Sequence, residues 1–174
     1  MKRALLIFLT LGGMLAVWAY AQNTPVTAGG KWQEFDSKDP MTDVPKVRFE
    51  LEADNFLHES VYHKPKAEIF CDDGKYKFAD FAPNVRIGPP NRPGFWGQPQ
   101  LEVEVRIDDR HDSHGWNWIE GRFLSMDKGT VRGLIGAKIF KIEFRTPDGD
   151  NIAEFSPAGL DLNRFSHACG LSPK

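Results

Sequence analysis

Leu101, Val103, Val105 and Ile107 alternate with Glu102, Glu104, Arg106 and Asp108 along Gln100–Asp109. Side chains on a strand repeat a face every second residue, so this stretch is a strand with one buried face and one wet face. Arg110-His-Asp-Ser-His-Gly115 then reads as a turn, with Trp116–Glu120 as the return strand. The alternation recurs in Val47, Phe49, Leu51 and Ala53 within Lys46–Asp54, and in Phe140, Ile142 and Phe144 within Lys138–Arg145. Asp73-Gly74 separates the β-type runs Ala67–Cys71 and Lys75–Ala79, and Asp148-Gly149 separates Lys138–Arg145 from Asn151–Phe155. Asp-Gly is a strong hairpin signal, because glycine adopts positive φ without a Cβ clash. Trp32 and Phe35 open the folded part as a short strand that turns at Asp36–Pro40.

Only the C-terminal pattern is convincingly helical. Ser156 is placed as an N-cap with Pro157 at the first helical position, Leu162, Phe165 and Cys169 recur at helical spacing, and Gly170 is the stop. Thr130–Ile135 is long enough for a single helical turn. The expected fold is therefore mainly β. It is an antiparallel β-sandwich or curled sheet of about seven strands, with one C-terminal α-helix packed on it.

Lys2-Arg3, the apolar run Ala4–Ala19 and the exit Ala19-Tyr20-Ala21 have the three parts of a secretory signal peptide, with cleavage expected after Ala21. The apolar run is shorter than the roughly 20 residues that span a bilayer comfortably, which disfavours an uncleaved anchor. Residues 22–30 carry Pro25 and Gly29-Gly30 and read as a flexible lead-in to a single domain over 31–171. Losing Lys2 and Arg3 takes the formal charge from −2 to −4, which gives no electrostatic case for nucleic acid or an anionic membrane as partner. The periplasm or the outside of the cell is the expected location. There, the chain's two cysteines, Cys71 and Cys169, most simply form one disulfide.

Catalytic signals are weak. Asp108, Asp109, His111, Asp112 and His114 crowd one expected turn, where His111 and His114 form a His-x-x-His pair with acids nearby. That pair supports one alternative, a small metal-dependent hydrolase. The stretch lacks the spaced ligands of a calcium loop and any His-Glu-x-x-His, so a solvated turn is the favoured reading and no metal is assigned. There is no Gly-x-Ser-x-Gly elbow and no phosphate-binding loop. Ser113 is a chance neighbour of the histidines, and Glu102 and Glu104 are ordinary wet-face acids. No catalytic residue and no cofactor is expected. Arg106 and Asp108 share the wet face of the central strand, either as a surface ion pair or as a fixed polar patch for a partner.

Between Phe81 and Gln100 lie five prolines and three glycines, the composition of a long irregular loop. It carries Phe95-Trp96. Such a pair either folds down as a lid over the sheet, the commoner arrangement, or stands out as a recognition element. The second reading places a binding surface where the Pro89–Pro99 loop folds back along the strand to meet the Asp109–Trp116 turn. Phe95 and Trp96 would be its anchor, and Arg92, Arg110, His111 and Asp112 its polar rim, with Arg106 and Asp108 beside them.

Several landmarks together resemble a known family. Trp32, Ser37-Lys-Asp-Pro-Met-Thr-Asp43 and the Val-x-Phe-x-Leu-x-Ala strand are similar to the start of VasI-type proteins. Ile69-Phe-Cys71, Val105-Arg-Ile-Asp-Asp109, and Phe155-x-x-x-Gly159-Leu160 leading to Ala168-Cys169 follow in the same order. The chain departs from the pattern in its Pro/Gly-rich loop and its double-Trp strand. VasI-type proteins are associated with type VI secretion loci and have no established catalytic residues. The resemblance thus implies a non-catalytic accessory or binding domain of the bacterial envelope, with another envelope or secreted protein as partner. A periplasmic inhibitor or immunity protein against a toxin or hydrolase is the further alternative.

Overall fold

A computed structural model describes residues 25–172; the expected signal peptide and cleavage point lie outside the described residues. The central alternating strand is β7 (Pro99–Ile107), and its hairpin partner is β8 (Arg110–Ile119). The remaining strands are β1 (Val26–Thr27), β2 (Trp32–Lys38), β3 (Pro45–Glu52), β4 (Lys66–Asp72), β5 (Lys75–Ala82), β6 (Arg92–Pro93), β9 (Phe123–Ser125), β10 (Phe140–Thr146) and β11 (Gly149–Phe155). They form one antiparallel sheet in the order β1-β2-β3-β4-β5-β9-β8-β7-β10-β11, with β6 joined to β7. Helix α1 (Lys128–Leu134) and the C-terminal α2 (Leu162–Cys169) complete the fold. Among the described residues, no helix is long and apolar enough to cross a membrane.

The sheet curls onto its own apolar face. Phe81 of β5 lies with its ring centroid 5.1 Å from Phe144 of β10 and 6.3 Å from Phe155 of β11, although β5 is not adjacent to either strand. The curl stays open as a sheet, and its seam is bridged by side chain and loop. Beyond β3, Asp54 N donates to Glu154 O at 2.6 Å. Asn55 accepts from Glu154 N at 2.9 Å and donates to Ile152 O at 2.8 Å. The outer edge of β11 is thus occupied by partners that cannot extend the sheet further.

Both Asp-Gly hairpins form as expected. Asp73 and Gly74 take positive φ of 50° and 70° between β4 and β5. The reversal between β7 and β8 differs from expectation. It is only Asp108-Asp109, and Arg110–Gly115 belong to β8 rather than to a turn. Asp108 makes the tight reversal possible. Its φ is 51°, and its Oδ1 accepts from Lys138 N and Ile139 N at 2.9 Å each.

The lead-in is partly built into the fold. Val26-Thr27 pair with Gln33-Glu34, and Ala28 is buried. Gly29, Gly30 and Gly159 let the N-terminal segment cross the chain after β11 at backbone contact, where a Cβ on Gly29 would strike the Gly159 carbonyl.

Helix α2 starts later than the Ser156-Pro157 signal suggests. The cap is Asp161, which accepts from Asn163 N and Arg164 N at 3.0 Å each, while the Pro157 carbonyl accepts from the Trp32 indole at 2.8 Å. Gly170, with φ of 59°, ends it as expected. The helix packs on the concave face through Phe165, 4.9 Å from Phe49, and through the Cys71–Cys169 disulfide with Cα atoms 5.1 Å apart. Helix α1 is a second, shorter helix where the sequence suggested one turn. It buries Val131 and Leu134 and is capped by Asp127.

Candidate functional site

The two ends of the curl differ. One carries short turns at Asp39–Val44, Asp73-Gly74 and Asp108-Asp109; the other carries the long loops after β3 and β5, the β6–β7 tip and the turn between β8 and β9. At this loop end Phe95 and Trp96 stand 87% exposed each, with their rings edge-to-face at 4.8 Å. Tyr62, at 86%, projects from the loop after β3.

Phe95 and Trp96 sit on a built tip. Arg92-Pro93 pair with Pro99-Gln100, Gly94 N donates to Gln98 O at 2.7 Å, and Gly97 N donates to Gly94 O at 2.9 Å. Trp96 N donates to the Gln98 side chain at 2.9 Å, and Gly97 supplies φ of 78° for the reversal. Prolines on both legs restrict the backbone further. The aromatic pair therefore projects from a short, internally bonded hairpin.

The lid expected of Trp96 exists, but other residues build it. Residues 83–91 cross the loop end as a strap, with Ile87 buried and Val85 packed on the core. Ile87 N donates to Gly121 O, Gly88 N to Arg145 O and Asn91 N to Gln100 O, at 2.9–3.1 Å. Asn84 ties the strap to the preceding loop through Lys64 O at 2.6 Å. Beside the strap, Val85, Arg86, Pro89, Pro90, Trp118 and Arg122 line much of an open groove of about 850 Å³. The Trp118 indole donates to Gly88 O at 2.9 Å, so its ring is held as part of the wall.

The expected rim is split. Arg92 belongs to the tip and lies 3.6 Å from Glu102. Arg106, Asp108, Arg110, His111 and Asp112 lie toward the far end of β7, whose nine residues span roughly 27 Å at about 3.4 Å each. The loop does not fold back; its two legs pair with each other instead. Asp108 is also committed to structure, because the Ile139 and Lys138 amides hold its carboxyl below the usual range. Arg106 donates to the Asp108 carbonyl rather than to its carboxylate.

His111 and His114, three residues apart on a strand, project from opposite faces. His111 approaches Glu104 at 3.5 Å on the outer face, whereas His114 Nδ1 lies 2.9 Å from Asp127 Oδ2 on the inner one. One ion cannot take both imidazoles. Ser113 is again on the outer face and donates to Glu102. Asp127 also accepts from Thr130 and from the Trp116 indole. Burial pushes its carboxyl up, but these hydrogen bonds and His114 outweigh it and hold the pKa below the usual value. His58 and His63 lie in the loop after β3. Among the described residues, no three His, Cys, Asp or Glu side chains converge as metal donors.

On the outer face, register aligns Glu50, Glu68 and Asp80 across β3, β4 and β5. Lys66 and Arg48 neutralise the first two at 2.6 and 3.0 Å. Burial and the neighbouring Glu50 push Glu68 upward against the partial offset of Arg48, and burial pushes Asp80 up as well. This row was hidden from sequence reasoning, since each acid occupies an ordinary wet-face position in its own strand.

Comparison with models of known protein families, with curated proteins and with solved structures finds no match in any of the three. What the chain does must be read from its own geometry.

Proposed function

We propose that this chain is a non-catalytic binding protein of the bacterial cell envelope that engages another protein through its loop end. The observation that carries the reading is the Phe95–Trp96 pair, fully presented on a hydrogen-bonded tip. Exposing two large aromatics gives up their burial free energy, about 1.5–3 kcal/mol for a ring the size of Phe. Such residues recur at the centres of protein interfaces, where they supply contact area at low entropic cost. The Cys71–Cys169 bridge and the N-terminal export pattern support an oxidising compartment. The resemblance to VasI-type proteins supports an accessory role near a type VI secretion system.

A second reading, an inhibitor or immunity protein, is favoured by the shape of the same element. A narrow, pre-organised hairpin ending in two aromatics fits a concave cleft better than a flat surface. Both readings share one test. Trp96→Ala should melt within about 0.5 kcal/mol of the parent, as exposed substitutions do. A photo-crosslinker at position 95 should trap one envelope partner in the parent, and the Trp96→Ala substitution should abolish that adduct. A large stability loss, or an unchanged adduct, overturns the proposal.

A further inference from the structure

The groove beside the strap lies on the outside of the core that Ile87, Val85 and Trp118 close off, and its lining has a definite chemistry. Val85, Pro89, Pro90, Trp118 and Pro147 give it an apolar wall, and the volume of about 850 Å³ lies within the range of sites that enclose small ligands or short peptide stretches. Two guanidinium groups, Arg86 and Arg122, line it from facing segments that are stitched by Ile87 N donating to Gly121 O at 3.1 Å. Among the described residues neither forms a salt bridge, as is also true of Arg106, Arg110 and Arg132, but only these two share the lining of one groove, and Arg48, Arg92, Arg145 and Arg164 are all paired with acids. Glu120 is the one acid in the lining, leaving it one positive charge in excess.

From this we infer that the groove takes an extended segment of a partner protein carrying an acidic side chain, with the carboxylate between Arg86 and Arg122 and flanking apolar residues against Trp118 and the prolines. The inference rests on the binding reading above and names a second, separate contact. Guanidinium groups bind carboxylates through paired, charge-assisted hydrogen bonds, and they are not consumed by internal acids here. Proline walls hold their shape without offering amide donors, so the polar recognition falls to the two arginines. The groove also shares the loop end with the aromatic tip, so one partner can fill the groove and meet the prongs.

The experiment uses the purified, oxidised protein and two probe peptides, acetyl-Ala-Leu-Glu-Leu-Ala-amide and its Glu→Gln counterpart. Titration is followed by the Trp118 indole and the Arg86 and Arg122 Nε–H signals in nuclear magnetic resonance. The Glu peptide should shift these three signals together and bind about tenfold more tightly than the Gln peptide. An Arg86→Gln/Arg122→Gln variant should lose that discrimination, while Trp96→Ala should keep it, which separates this site from the prongs. Equal binding of the two peptides, shifts located elsewhere, or no binding at millimolar peptide would each overturn the proposal. So would a response to sodium laurate without one to the Glu peptide, because the site would then belong to an anionic amphiphile.

Discussion

Asp80 turns a carboxyl to the outer face of β5 where Oδ1 is buried and finds no hydrogen-bond partner among the described residues. Burial raises its pKa, with only a partial offset from Ser125. A group whose folded pKa is raised contributes stability below its unfolded value, near 4, and that contribution is lost as pH rises through the folded value. Asp80→Asn should therefore stabilise the protein at pH 7, by about 1 kcal/mol, because the amide keeps the shape but carries no charge to desolvate. The advantage should fade on approaching pH 4. Thermal melts at the two pH values check this, and a variant less stable at pH 7 would show that the carboxylate is stabilising. The glycine crossing is a sharper test of backbone geometry. Gly29→Ala drives a Cβ into the Gly159 carbonyl from a φ of 95°, and both sides are backbone that cannot rotate away. The expected loss is about 2 kcal/mol or more, read from chemical denaturation.

At the scale of elements, α2 is held to the sheet by charge as well as by Phe165. Arg164 Nε donates to Glu34 at 2.7 Å, and the same guanidinium reaches Asp36 at 3.0 Å. Glu34 is buried while Arg164 is partly solvated. Arg164→Ala strands the Glu34 charge and should cost about 2 kcal/mol, below the value for a wholly buried pair. Adding Glu34→Gln should recover part of that loss, because a neutral amide leaves no unpaired charge. If the second substitution deepens the loss, Glu34 has another partner. Strand β8 teaches a different lesson about reading elements. His111, Asp112, Ser113 and His114 look like turn residues in the sequence, yet they pair in register with β7 from Arg106 to Val103. Their outer-face members find Glu104 and Glu102 across the ladder, which satisfies them as strand residues.

For the whole molecule, the Cys71–Cys169 bridge closes a 98-residue separation and ties the first Asp-Gly hairpin to the end of α2. In the chain-entropy account a loop of that size contributes about 4–5 kcal/mol, so reduction should lower the denaturation midpoint markedly. Intact mass with and without reductant, followed by alkylation, should show two thiols appearing only after reduction. Free thiols in the untreated protein would contradict the bridge.

Much of this architecture is legible in the chain alone. The alternation of Leu101–Ile107 and Val47–Ala53, the two Asp-Gly turns, the Gly170 stop and the cysteine pairing all rest on local rules: side-chain period, permitted φ, and one bridge for two cysteines. Which way Trp96 points obeys no local rule. Its exposure follows from Arg92-Pro93 pairing with Pro99-Gln100, and from Val85 and Ile87 having already filled the space a lid would take. The same holds for the split of the expected rim along β7, for the opposite faces of His111 and His114, and for the groove between Arg86 and Arg122. Each depends on which strand lies beside which, and that is set by burial across the whole curl rather than by any residue's neighbours in sequence.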